Sequence, residues 1–599
     1  MKKASKVLTL ALVVVFLFGI FAGCAMFGTD TERYRAATAI NVGDQTVSVG
    51  KVLDTFNSLY SSYAQYVNAG YVTIDQLLSS TVSGLYTQYV KLDVYTKTHR
   101  AENNSYAAKF ANAGYLTAEE MEYIIKNVKY TVYTSFDSSV ESLITNKYGT
   151  LKAAEKEDSS RAFVKYDKWD GTGTYAQYLY EKNYKNEDMD KYFNDYYPSL
   201  NVDADLSDYL LSGAQAQKRV DEYNARIEDE EKGKLTVAEY AKFQDRVQKQ
   251  YSGNVRASYS MTIEEFISRQ IEDSIISHIG IKYDYEITSA IDKDLSAVFT
   301  KLTADAAKAK SAQETNYRLN GGFDSFIEGI KDSDYIYAVD DSFDYLFVKN
   351  VLIPFSTAQS TTLTNLSNAL GGTDNDTYKA RREAIAAQIV ADNFNSTKNA
   401  DGEYEKVSGL FKLDSEGKVA LNLENSAWSA YFNTDGTIKG ENKDQTVNEM
   451  MKQFNTDTGS HGKIYNYVVR VGDIPEDYNS GLVEEYFNAA QKLYVGGEAQ
   501  VGKYVVCVTT YGVHIIYCVG KVEAHAFNFA ANYNDTTTAE YRLFKAYYET
   551  LSSETLKNGY KTTRDEYYKS KISVTDAFNR FLEDNGLTFD VKASLKTTD

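Results

Sequence analysis

Thr509-Thr510-Tyr511-Gly512-Val513-His514-Ile515-Ile516-Tyr517 places one histidine among apolar and β-branched residues just beyond a glycine-bearing turn. Runs rich in Val, Ile and Thr on either side of such a turn predict a β-hairpin. Its strands should cover Lys503 to Thr509 and Val513 to Val519, about Thr510-Tyr511-Gly512. A histidine with these neighbours must be hydrogen-bonded or functional, because a buried polar group without a partner is disfavoured. If Thr509 stands opposite His514, a hydroxyl and an imidazole share one sheet surface. The same register sets Cys507 and Cys518 on one face but diagonally offset, roughly 7 Å apart, too far for an easy disulfide. Both are expected to be free and buried.

Working upstream, Tyr345 to Phe355 reads as a strand that Pro354 ends or confines to an edge. Thr362 to Leu370 and Tyr378 to Phe394 read as helices, and the polar, Gly/Asn/Asp-rich stretch 395–445 as an insertion with a small hairpin or two. Val447 to Phe454 is helical. Leu482 to Leu493 predicts a helix with Leu482, Tyr486, Ala489 and Leu493 on one face. Downstream, Tyr541, Phe544, Tyr547 and Tyr548 keep a helical spacing in the tail.

The amino-terminal half has a different character. Ala37 to Val49 reads as two short strands about Gly43-Asp44. From Gly50 the stripe Val52, Leu53, Phe56, Leu59, Tyr60 is helical. Thr73 with Gln76 predicts a capping box, in which a Thr hydroxyl and a side chain three residues on satisfy each other's backbone N–H. Thr117 with Glu120, Thr236 with Glu239 and Thr262 with Glu265 repeat the device, so helices should dominate residues 50–345. The fold class is α+β and multi-domain, mostly helical, with an antiparallel sheet in the second half. The expected divisions are a signal at 1–23, a tether at 24–36, a helical region at 37–344, an α+β domain at 345–525 and a helical tail at 526–599.

The chain has 599 residues, 43% hydrophobic and 25% charged, with 83 acidic against 64 basic side chains and a formal charge of -19. That balance argues against nucleic acid, which is met by basic stripes, and points to neutral or basic partners. Tyrosine is over-represented, 51 against 28 Phe and 2 Trp. Such a composition suits loosely specific protein contacts, or reflects a genomic bias.

Lys2, Lys3 and Lys6 precede an apolar run from Val7 to Phe21, too short to span a bilayer but long enough for a signal peptide core. The following Phe21-Ala22-Gly23-Cys24 resembles the lipobox of bacterial lipoproteins. That resemblance implies cleavage before Cys24, a lipid on its sulfur, and a place on the extracytoplasmic face of the cell membrane. An ordinary secretory signal, with Cys24 incidental, is the alternative.

Of five histidines, none shares a short-spaced ligand set with cysteines or carboxylates, and no phosphate loop or nucleophile elbow occurs. No metal and no cofactor are expected. His99 reads as a surface group, His278 as a cap near a helix C-terminus, and His525 lacks a visible partner. Only His514 stands in a strand that demands an explanation.

The segments Gly481 to Ala490, Val495-Gly496-Gly497-Glu498 and Thr509 to Ile516 resemble the second half of a parvulin-type peptidyl-prolyl isomerase domain. Phe454 to Gly459 is similar to that family's loop before its central glycines, and Leu346 to Pro354 to its first strand. The whole layout resembles the PrsA- and SurA-like extracytoplasmic foldases. The resemblance implies catalytic roles for Asp457, Thr509 and His514, and an apolar grip on the proline ring by Leu482 and Tyr486. Asn350 falls where the family carries a first histidine, and the central glycine segment is reduced to His461-Gly462-Lys463-Ile464-Tyr465. The implied activity is cis/trans isomerisation of X–Pro bonds, and the implied partners are unfolded exported proteins. Rotating such a bond crosses a barrier of roughly 18–20 kcal/mol without breaking any bond, so a site need only favour the twisted amide. An apolar floor of Leu482 and Tyr486, one helical turn apart, with a polar rim of Asp457, Thr509 and His514, would suit that task. The same scaffold without catalysis would be a holdase. A solute-binding lipoprotein, or a surface structural protein, are the remaining classes.

Overall fold

The structure is a computed structural model that describes residues 32–101, 104–152, 169, 171–183, 186–198, 209–227, 232–259, 261–319, 336–339, 343–398, 404–457, 467–587 and 589–596. The expected signal, Cys24 and the segment 461–465 lie outside the described residues. Two compact units form: the first from residues up to 152, 171–295 and 546 onward, the second mainly from 296–545.

In the first unit, β1 (Thr38–Val42) and β2 (Gln45–Ser48) make the expected antiparallel hairpin about Gly43-Asp44. Ser48 caps α1 (Val49–Asn68) through the Lys51 N–H. α2 (Ile74–Thr98), α3 (Ala118–Tyr148), α4 (Tyr175–Lys182), α5 (Glu187–Tyr196), α6 (Gly213–Arg226), α7 (Val237–Tyr259) and α8 (Ile263–Ser289) follow. They bury apolar stripes at helical spacing; on α8, Ile267, Ile271, Ile275 and Ile279 recur every fourth residue, all wholly buried. The capping boxes at Thr73, Thr117 and Thr262 form in both halves. At Thr236 only the hydroxyl half forms. The Glu239 carboxylate instead meets Lys147 and the Tyr148 hydroxyl.

α9 (Leu295–Leu319) leads into the second unit, where β3 (Asp344–Pro354) is its longest strand. α10 (Thr357–Leu370) and α11 (Asp376–Ala386) follow. The helix expected to run from Tyr378 to Phe394 therefore stops at Ala386, and the chain turns into β4 (Ala391–Lys398), paired with β5 (Tyr404–Val407). A second small hairpin joins β6 (Phe411–Leu413) to β7 (Val419–Leu421). Then come α12 (Lys443–Phe454), β8 (Tyr467–Val471), α13 (Glu484–Gln491), the short pair β9 (Tyr494–Val495) and β10 (Glu498–Ala499), and the hairpin β11 (Tyr504–Val508) with β12 (Gly512–Lys521).

The main sheet runs β11-β12-β3-β8, antiparallel throughout. Alternation along each strand gives it two faces. Val351, Ile353, Val513, Ile515 and Tyr517 pack against α12 and against Trp428, Phe432 and Ile438 of the insertion. Leu346, Val348, Ile516 and Cys518 pack against Tyr486, Ala489 and Ala490 of α13. The insertion thus builds a core on the face away from α13.

α14 (Ala539–Ser570) carries the chain back to the first unit, where β13 (Ile572–Val574) pairs antiparallel with β1. The resulting order is β13-β1-β2. The observed class is mixed α+β, predominantly helical, with several antiparallel sheets.

Candidate functional site

The site begins with the register of the β11–β12 hairpin. Cys507, not Thr509, lies opposite His514, and Val508 pairs with Val513. The turn is tighter than expected: Thr509 N–H donates to Gly512 O at 2.9 Å, and Tyr511 N–H to Thr509 Oγ1 at 3.1 Å, leaving two residues in the loop. A slip of two keeps every side chain on its face, so Thr509 and His514 still share a surface.

Asn350, on β3, lies diagonally from His514 on that surface and is 1% exposed. Asp457 is brought alongside by Asn455, the residue that ends α12. The Asn455 Oδ1 accepts the backbone N–H of Leu352 at 2.9 Å and of Asp457 at 3.1 Å. Thr456 N–H adds a bond to Leu352 O at 3.1 Å. The loop that carries the carboxylate is therefore fastened to the strand that carries Asn350.

One directed chain of hydrogen bonds results. Asn350 Nδ2 donates to Asp457 Oδ2 at 2.7 Å, and the Tyr467 hydroxyl donates to the same oxygen at 2.7 Å. The carboxylate thereby fixes the amide orientation, which points Asn350 Oδ1 at His514 Nδ1, 3.0 Å away. An amide oxygen can only accept, so Nδ1 carries the imidazole proton and Nε2 accepts from the Thr509 hydroxyl at 2.9 Å. Burial pulls His514 down to about 4, against weaker opposing pulls from Asp457 and Glu485, so the ring is neutral near pH 7.

Tyr486, from α13, meets the His514 ring edge-on at 5.3 Å and the Tyr467 ring edge-on at 5.8 Å. Burial pushes the ionisation of both hydroxyls to higher pH and keeps them protonated, Tyr486 most strongly. Leu482 is half-buried and lies before α13, whose N-cap is Val483. Leu482 and Tyr486 are thus not on successive turns of one helix. Gly481, at φ +66°, and the Ser480 hydroxyl, which accepts the Leu482 N–H at 3.1 Å, hold Leu482 in a turn instead.

Five residues singled out by sequence, Thr509, His514, Asn350, Asp457 and Tyr486, thus gather at one end of the α13-facing surface, and Leu482 packs against the apolar cluster that contains Tyr486. Tyr467 and Asn455 were not anticipated. The only trace of Asn455 in the sequence is an asparagine where a helix stops. Cys507 and Cys518 are both free. Cys518 is buried as expected, but Cys507 is only half-buried on its edge strand, with its thiol pushed up to about 12 by burial and then by Glu485 and Glu383.

Two further histidines, His278 and His525, differ from expectation, while His99 stays near the surface. His278 sits within α8, not at its end, and is buried with its Nε2 3.2 Å from the Tyr180 hydroxyl and 3.7 Å from Glu120. His525 has a partner, Glu540, at 3.0 Å. His99 pairs with Glu286 at 2.8 Å.

Among the described residues no cluster of three or more His, Cys, Asp or Glu could hold a metal, and no helix is long and apolar enough to cross a membrane. The arrangement offers an aromatic floor, a neutral hydrogen-bond chain and a carboxylate at its end. No protein family model, no curated protein and no solved structure matches this chain.

Proposed function

We propose that the second unit binds extended polypeptide at X–Pro bonds and accelerates their cis/trans exchange, as part of a lipid-anchored foldase on the extracytoplasmic face of the membrane. The reading is supported above all by the chain Thr509–His514–Asn350–Asp457 beneath Tyr486. Isomerisation needs no proton transfer, only an environment that favours the twisted amide over either planar form. A neutral, mutually saturated polar chain beside an aromatic ring supplies fixed dipoles without free charge, and the Asp457 carboxylate adds one acceptor at the rim. The helical first unit fits the role of holding unfolded exported clients, and the acidic balance of -19 favours neutral or basic ones.

Prolyl exchange in a model peptide tests this, with Asp457→Ala and His514→Ala as controls. Faster exchange with wild type than in buffer, lost in both variants, is expected; a wild-type rate equal to the buffer rate refutes the catalytic claim.

A holdase on the same scaffold is the second reading. It is favoured by the burial of the polar chain: Asn350 is 1%, Thr509 0%, His514 6% and Tyr486 4% exposed. Suppressed client aggregation without faster prolyl exchange is its signature.

A further inference from the structure

The donors and acceptors of the site can be counted one by one. The Thr509 hydroxyl donates to His514, His514 Nδ1–H to Asn350, and the Asn350 amide to Asp457. The Tyr467 hydroxyl is also spent on Asp457. One polar group of the site stands outside this inventory. The Tyr486 hydroxyl is buried and has no hydrogen-bond partner among the described residues. Its ring is held between His514 and Tyr467, yet the O–H meets neither. A buried donor left unsatisfied disfavours the fold, and phenylalanine would fill the same space without that loss. The hydroxyl is therefore a liability for packing alone.

Proline supplies the complementary chemistry. Its nitrogen carries no hydrogen, so an X–Pro segment presents backbone carbonyls without the matching donor. A site with one uncommitted donor beside an aromatic floor suits that imbalance. We propose that the Tyr486 hydroxyl donates a hydrogen bond to the carbonyl oxygen preceding proline in a bound peptide, an inference that rests on the peptide-binding reading above. Because the hydroxyl is shut away from solvent, a peptide reaches it only when a neighbouring side chain moves. Tyr467, half-buried and in edge-on contact with Tyr486, is one such neighbour.

The test uses the full chain and a proline-containing peptide labelled with 13C at the carbonyl preceding proline. Tyr486→Phe removes the hydroxyl and keeps the ring. With wild type, binding moves the carbonyl resonance downfield. With Tyr486→Phe that shift is lost, affinity falls roughly fivefold, and the melting temperature is unchanged or higher. Equal affinity and an equal carbonyl shift in Tyr486→Phe overturn the inference while leaving peptide binding in place. A lower melting temperature with unchanged affinity also overturns it, by showing that the hydroxyl serves the fold, for instance through a buried water. If wild type binds no peptide, or if Asp457→Ala and His514→Ala bind it as wild type does, the peptide-binding reading falls and this inference with it.

Discussion

Asn350 Nδ2 lies 2.7 Å from Asp457 Oδ2, so a neutral amide on a strand and a carboxylate on a loop orient each other. The other end of the amide takes the His514 proton at 3.0 Å. Asn350→Leu, similar in volume, leaves the buried His514 Nδ1–H without its acceptor and takes one of the bonds from Asp457, which keeps that from Tyr467. Unfolding by guanidinium should show a loss of roughly 2–3 kcal/mol. A loss below about 0.5 kcal/mol, the scale of a neutral surface change, would show that the chain adds nothing to stability.

His514 makes the second unit sensitive to acid. Burial holds its folded-state value at about 4, below the ordinary value near 6.5, so the unfolded chain takes up the proton first as pH falls. The stabilisation gained by keeping this ring neutral is full above about pH 6.5 and shrinks by roughly 3 kcal/mol on approaching pH 4. His514→Gln removes that dependence. The stability difference between wild type and His514→Gln, measured at about pH 7 and pH 4.5, should narrow toward acid; a constant difference would mean that the folded imidazole protonates normally.

Gly512→Ala should break the hairpin. A Cβ at Gly512 would stand 2.2 Å from Ile353 O and 2.7 Å from Pro354 Cα, and the residue holds φ +150°. Both obstacles are backbone, so no side chain can yield. A loss of about 3 kcal/mol or more is expected in the unfolding free energy. Separation of β12 from β3 should also appear as faster amide exchange at Phe355, whose N–H donates to Tyr511 O at 3.0 Å.

In the first unit, Asp93 is the buried anchor. Wholly buried, it accepts from Asp44 N–H at 2.9 Å, Lys97 Nζ at 2.7 Å and the Tyr567 hydroxyl at 2.6 Å. Gly43, at φ +59°, makes room for it, since a Cβ there would come within 2.0 Å of Asp93 Oδ2. Asp93→Ala leaves the Asp44 N–H and the Tyr567 hydroxyl without their acceptor, while Lys97 keeps the Asp44 carboxylate at 2.9 Å, and should lower stability by about 2–4 kcal/mol. Gly43→Ala should be nearly as damaging, through collision and an unfavourable backbone. Thermal melts of both variants check this, with limited proteolysis to ask whether the segment after Tyr567 is released first.

Local chemistry explains which elements could be read directly. Thr73, Thr117 and Thr262 each carry their capping partner three residues away, so the signal and the structure occupy the same four residues. Thr236 carries the same signal, but Glu239 finds Lys147 and Tyr148, a tertiary choice that no local pattern contains. His278 lies inside a helix and not at its end, because α8 runs eleven residues beyond it, to Ser289. The strand partner of Ile40 is Val574, 534 positions later in the chain, in a three-residue strand too short to announce itself. At the candidate site, residue types place His514 and Asn350 on strands and Asp457 in a loop, and the structure brings the three into hydrogen-bond contact. The slip of the hairpin by two, the Asn455 fastening and the orphan hydroxyl of Tyr486 depend on turn geometry and close packing instead.

The pairing of β13 with β1 sets an order of assembly. On a ribosome, the stretch from 296 to 545 emerges as an unbroken block that holds its whole four-stranded sheet. The helical unit must wait, with one edge of Thr38–Val42 unpaired until residues 572–574 appear. Closing a loop of that length is slow compared with local helix formation. An open strand edge is also a template for wrong pairing. Truncation just before Ile572 should therefore yield a chain whose second unit is native while its first unit is left prone to aggregation.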